Sequence, residues 1–184
     1  MALTRTVRDM KFFSDIRLLL LGVWLGAAVF FIGVAQTAFS VLPQRDLAGA
    51  VVNRSLTILN FAGIAIAVIL IITSLLSASK VNQLWLWVER FLLLIVAAAC
   101  AVGQFAIGLW MASIRMQIGK PIDELAADDP MRIQFDTLHS YSEWVLVIGM
   151  VAALLAFFII SNRKFRPLKD VGADVYDFKK EFKV

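Results

Sequence analysis

The chain has 184 residues, of which 60% are hydrophobic and only 17% charged; that balance is too apolar for a soluble domain and leaves no room for one beside several membrane spans. The single cysteine, Cys100, excludes an internal disulfide and a cysteine-based metal cluster within one chain. A formal charge of +4 would suit nucleic acid in a soluble protein, but here the basic residues flank apolar runs, where anionic lipid headgroups are the nearer partner and nucleic acid is not expected.

The opening segment, residues 1–17, carries Arg5, Arg8, Lys11 and Arg17 ahead of an apolar run over 18–42. The run is longer than a signal-peptide core of about 7 to 15 residues and meets no small-x-small cleavage site, so it is expected to be a first transmembrane helix. Gly22 and Gly26 stand four apart around Trp24, a small-xxx-small pattern that lets a neighbouring helix approach. Pro43 and the polar residues after it end this helix, since proline lacks the amide hydrogen needed to continue and disfavours helix at the residue before it.

Leu47, Val51 and Ser55 recur at helical spacing beside Asn53 and Arg54, which predicts a second helix that starts in the headgroup layer and crosses hydrocarbon over 56–76. A short polar link containing Lys80 leads to a third span over 84–112, opened by Trp85 and Trp87 and closed by Trp110, as amphipathic rings at the two headgroup levels would be. Glu89 and Arg90 lie near its start, where arginine can snorkel and glutamate can pair with Lys80 or with a residue of another helix. From Ser113 to Thr137 the chain is polar, with a short helix expected in PIDELAA and an N-cap at Asp129 followed by proline at the first helical position. Met131, Phe135, Leu138 and Ser142 fall at helical spacing, so the fourth helix begins as an amphipathic segment and crosses over 139–160. A basic tail, 162–184, follows.

The expected fold is therefore all-α, a polytopic membrane bundle of four transmembrane helices within 18–161. Lysine and arginine outside the spans number four in the amino-terminal segment, one in the 76–84 link and seven in the tail, against five on the opposite side. The positive-inside rule then puts both termini in the cytoplasm of a cell (inner) membrane protein.

Sorted by depth on that topology, Gln36, Asn60, Gln104, His139, Ser142 and Glu143 all fall in the outer half, and polar side chains in hydrocarbon face the bundle interior. They are candidates for one outward-opening polar pocket, or for interhelical hydrogen bonds that only fix packing. His139 and Glu143 share a helix face, where a carboxylate can orient an imidazole, and Arg54 is a candidate ion-pair partner for Glu143. His139 with Met111, Met116 and Met131 offers weak copper ligands, and histidine-methionine haem ligation stays open without an attachment motif; no cofactor is expected. With one histidine and no Ser-His-Asp order, phosphate loop or HExxH, an enzyme is the least favoured class.

The runs LGVWLGAAVFFIGVAQTAFSVLP and LAGAVVNRSL, with Phe135, Leu138, His139 and Ser142 entering the last helix, resemble a small bacterial membrane family of unknown function related to transmembrane protein 205. Where members of that family often carry proline in helix 1, this chain has Gln36. The resemblance implies a four-helix membrane domain with no settled activity. The leading expectation is a non-catalytic accessory or scaffold subunit, working as a homo-oligomer or within a larger complex with anionic lipids at its tail; a haem-binding membrane subunit is the third reading, and the second is a transporter or ion- and metal-handling protein using the pocket around His139. Absence of an internal repeat weighs against the second.

Overall fold

The described residues form four long helices, the first two parted at Pro43 and the last two by a loop that opens with Gly119 and Pro121. The computed structural model describes residues 2–76 and 83–162. Helix α1 (Ala2–Val41) stops just before Leu42 and Pro43, and α2 (Arg45–Leu76) starts with Asp46 in its first turn, where a carboxylate complements the positive end of the helix dipole. Helix α3 (Gln83–Ile118) contains a π-helical turn, Val102–Ile107, in which the Gly108 amide reaches back five residues to the Gly103 carbonyl. It ends at Gly119, whose left-handed φ of 64° a side chain would strain, with the Gly119 amide donating to the Arg115 carbonyl at 3.2 Å.

The short helix expected in PIDELAA is reduced to one 3-10 turn, Ile122–Glu124, because Leu125 is extended. Helix α4 (Pro130–Ser161) starts where the capping pattern places it: Asp129 accepts from the Met131 amide at 2.8 Å, with Pro130 at the first helical position.

All four helices are long and apolar enough to cross a membrane, and the described residues contain no strand. Each packs on two neighbours, α1 on α2 and α4, and α3 on α2 and α4, closing a ring in chain order. The core stacks Leu21, Trp24, Leu70, Leu93, Ala153 and Ile160, while large side chains such as Phe30, Phe91 and Leu154 remain exposed on the outside. That arrangement, apolar inside and out, suits a bundle solvated by hydrocarbon.

Close helix approach is made by glycines other than the expected pair. A Cβ on Gly63 would lie 2.5 Å from Cys100 Sγ and 2.6 Å from Trp24 Nε1, and one on Gly149 would lie 3.2 Å from Ala99 Cβ. By contrast, Gly22 faces only Phe157 at 3.7 Å, and Gly26 has nothing within 4 Å. The indole of Trp24 sits at the centre of these contacts and donates Nε1–H to the Leu59 carbonyl at 3.0 Å. An indole in a dry core needs such a partner, and a helix carbonyl supplies it.

Candidate functional site

The end of the bundle that carries the 119–129 loop holds a polar pocket of about 330 Å³. The turn at Pro43 brings the first residues of α2, Arg45 and Asp46, beside Phe39 of α1. Gly49, one turn further on, admits the last turn of α3: a Cβ there would stand 3.1 Å from Arg115 Nη2. The 3-10 turn contributes Asp123, and α4 contributes Phe135, Asp136 and His139.

Two contacts hold the loop over this pocket. Arg45 Nη1 pairs with Asp123 Oδ1 at 3.1 Å, and Arg132 Nη1 donates to the Leu125 carbonyl at 2.8 Å. The Arg45–Asp123 pair is well exposed, at 72% and 46%, so it contributes no more than about 1 kcal/mol and works as a tether. Inside the pocket the Arg115 guanidinium lies 5.0 Å from the Phe135 ring centroid, a cation–π distance, and its Nε is buried without a hydrogen-bond partner.

The six polar residues expected to converge do not share one pocket. His139 lines the loop-end pocket, with Nε2 3.4 Å from Glu143 Oε1, but Glu143 itself is 68% exposed and lies outside that lining. Asn60 and Ser142 meet deeper, with Trp24, Cys100 and Gly103, around a space of about 10 Å³, room for about one water. Gln104 is half-buried within the π turn, and Gln36 is exposed on α1. Arg54 is exposed and forms no ion pair with Glu143, whose partner is His139. Depth along a helix is legible from spacing; rotation about its axis is set by the neighbours.

Among the sulfur candidates, Met111 packs with Ile107, Ile114 and Leu138, whereas Met116 and Met131 are exposed. Among the described residues no group of three or more histidine, cysteine, aspartate or glutamate side chains is placed to hold a metal ion.

At the opposite end, charges expected at the flank are inside the bundle. Arg17 and Glu89 are 5% and 0% exposed and form a direct ion pair, and Arg17 Nη2 also donates to the Leu70 carbonyl at 2.9 Å. Arg90 continues the layer through Ser74, donating to its hydroxyl at 3.1 Å and its carbonyl at 2.9 Å. Glu89 thus pairs with a residue of another helix, while Lys80, its other expected partner, lies outside the described residues.

Helical register carries the signal for this layer. Arg17 precedes buried Leu21, Trp24 and Ala28 by four, seven and eleven residues, and Glu89 precedes buried Leu93, Val96 and Cys100 by the same intervals. Each charge therefore sits on its helix's buried stripe, where it requires an opposite partner.

Comparison with known families matches residues 19–120, from α1 through the glycine that ends α3, to a domain of unknown function designated DUF4149. The match includes Arg45, Gly49, Glu89 and Arg115 and stops short of α4. No curated protein and no solved structure matches the chain.

Proposed function

Because the chain belongs to the DUF4149 family, a family defined without a function, we propose its role from geometry: it is a non-catalytic membrane protein that acts through partners, as an accessory or scaffold subunit of a membrane complex or as a homo-oligomer. The observation that carries this reading is a filled and fastened interior. Trp24 and its neighbours close the middle of the bundle around a space of about 10 Å³, and the Arg17–Glu89 pair ties α1 to α3 at one end. A bundle so closed favours a rigid membrane-embedded unit over a conduit, and its apolar outer surface on all four helices is available to lipid or to other spans.

Both termini belong to the cytoplasmic side of the cell membrane in this proposal, with the tail at 162–184 against anionic lipid. Removing buried Arg17 from the basic count leaves the excess at the same end. Kinship with transmembrane protein 205 and with bacterial proteins is part of the same proposal, and it leans on Phe135, Leu138, His139 and Ser142, beyond the matched residues. The test is extraction of the full chain from its own membrane in a native-lipid polymer disc, followed by mass measurement. A defined oligomer or a stoichiometric complex is expected; a monomer without associated protein refutes the proposal.

The loop-end pocket favours a second reading, ion or metal handling. If His139→Ala and Glu143→Gln leave assembly intact and abolish a pH- or metal-dependent flux in vesicles, that reading displaces the first.

A further inference from the structure

We infer that the loop-end pocket is a binding site for a zwitterion carrying an oxyanion and an ammonium, the chemistry of an ethanolamine-phosphate headgroup, with Arg115 as the oxyanion ligand. This inference is independent of whether the protein works through partners. It starts from the charges left over once the pocket's internal contacts are made. Asp123 is committed to Arg45. The guanidinium of Arg115, half-buried on the pocket wall, makes no hydrogen bond or ion pair with any described residue, although it carries five N–H donors. Its one side-chain contact is the ring of Phe135, 5.0 Å from the guanidinium carbon, a contact that uses none of the N–H donors. Asp46 and Asp136 line the same space and enter no ion pair with a described residue.

One uncommitted cation and two uncommitted carboxylates in one cavity call for a ligand of both signs. Guanidinium matches phosphate or carboxylate oxygens in a forked geometry, and carboxylates accept from an ammonium. The volume, about 330 Å³, is at the lower end of the range for small-molecule sites and far above the single-water space in the core. Gly49 has no side chain where one would displace the guanidinium, so the backbone of α2 keeps the site open.

Depth favours a lipid as the source. The span of α1, Phe12–Val41, is 30 residues, or about 45 Å at 1.5 Å per residue. The hydrocarbon it crosses is about 30 Å thick, which puts a helix end at headgroup level. Phe39, Val52 and Ile122 supply an apolar wall where acyl chains would begin. A free solute with the same two groups would meet the same charges from the aqueous side.

The test uses the full chain in two arms. In the first, detergent-solubilised protein is titrated with phosphoethanolamine by calorimetry. In the second, the protein is reconstituted in discs of phosphatidylcholine doped with either phosphatidylethanolamine or phosphatidylglycerol, and retained lipid is measured by native mass spectrometry. Selective retention of phosphatidylethanolamine identifies the lipid source, and saturable phosphoethanolamine binding identifies the soluble one; either supports the site. Arg115→Gln is expected to weaken the positive arm by about tenfold or more, the loss that follows from removing a charged hydrogen-bond donor. Arg115→Lys, which keeps the charge without the fork, is expected to lose less, and exposed Arg54→Gln is expected to change nothing. Should Arg115→Gln fail to fold, Asp136→Asn reads the ammonium side alone. Equal retention of phosphatidylglycerol, or binding unchanged in both the Arg115→Gln and Asp136→Asn variants, overturns the inference.

Discussion

Replacing Glu89 by leucine removes the carboxylate from a site that is 0% exposed and leaves the Arg17 guanidinium, itself 5% exposed, without its counter-ion. The Leu70 carbonyl still accepts from Arg17, so the loss is one charged partner of two. Breaking a buried pair from one side costs about 3–5 kcal/mol, because the surviving charge stays desolvated. At about 2–4 °C per kcal/mol for a chain of this size, Glu89→Leu is expected to lower the unfolding midpoint by about 6–20 °C.

Cys100 supplies the assay. It is the chain's only thiol and is 3% exposed, so reaction with a fluorogenic maleimide on heating in detergent reports opening of the core. The double variant Arg17→Met/Glu89→Leu separates a charge effect from a packing effect. Replacing both members by apolar residues of similar size is expected to restore the midpoint to within a few degrees of the parent, since such exchanges are often neutral or stabilising. A single variant with an unchanged midpoint, or a double variant no more stable than the single, refutes the reasoning.

Gly63→Ala places a methyl 2.5 Å from Cys100 Sγ and 2.6 Å from Trp24 Nε1, and overpacking of that kind is expected to cost about 1–3 kcal/mol. Gly26→Ala, with nothing within 4 Å, is expected to leave the maleimide midpoint unchanged or slightly raised. Trp24→Phe deletes the donor to the Leu59 carbonyl and leaves a gap beside it, so a loss of about 1–2 kcal/mol is expected in the same assay. Asp129→Ala removes the cap on the Met131 amide; a loss of about 1 kcal/mol, confined to the first turn of α4, is expected as faster hydrogen exchange at residues 131–133 with no change in the midpoint.

Particular residues show where sequence reasoning reached and where it stopped. The four spans, the break at Pro43 and the start of α4 at the Asp129–Pro130 cap were legible because each depends on a run of neighbours: apolar length, a missing amide hydrogen, a carboxylate two residues from an open N–H. The candidate site was legible only in part. His139 was placed in the loop-end pocket's neighbourhood by its depth, but Arg115, Asp46 and Asp136 carry no local pattern that marks them. Asn60 and Ser142 do meet, around a water-sized space rather than an open pocket, and the π turn that holds Gly103 against Asn60 left no trace except two glycines five apart.

Composition and spacing by themselves thus determined that this chain is a four-helix membrane bundle, and that its last helix begins at the Asp129–Pro130 cap, whereas α1 starts at Ala2, well before the apolar run that marks it. Those features are set by interactions within a few residues, chiefly the cost of exposing backbone polar groups to hydrocarbon and the geometry of helix ends. Tertiary structure alone decided that Arg17 meets Glu89 across 72 positions, that Gly63 of α2 rather than Gly22 and Gly26 of α1 makes the close helix approach, and that Arg115 rather than Glu143 shares a pocket with His139. Each depends on how far one helix is rotated and shifted against another, and that is settled by the packing of all four helices at once.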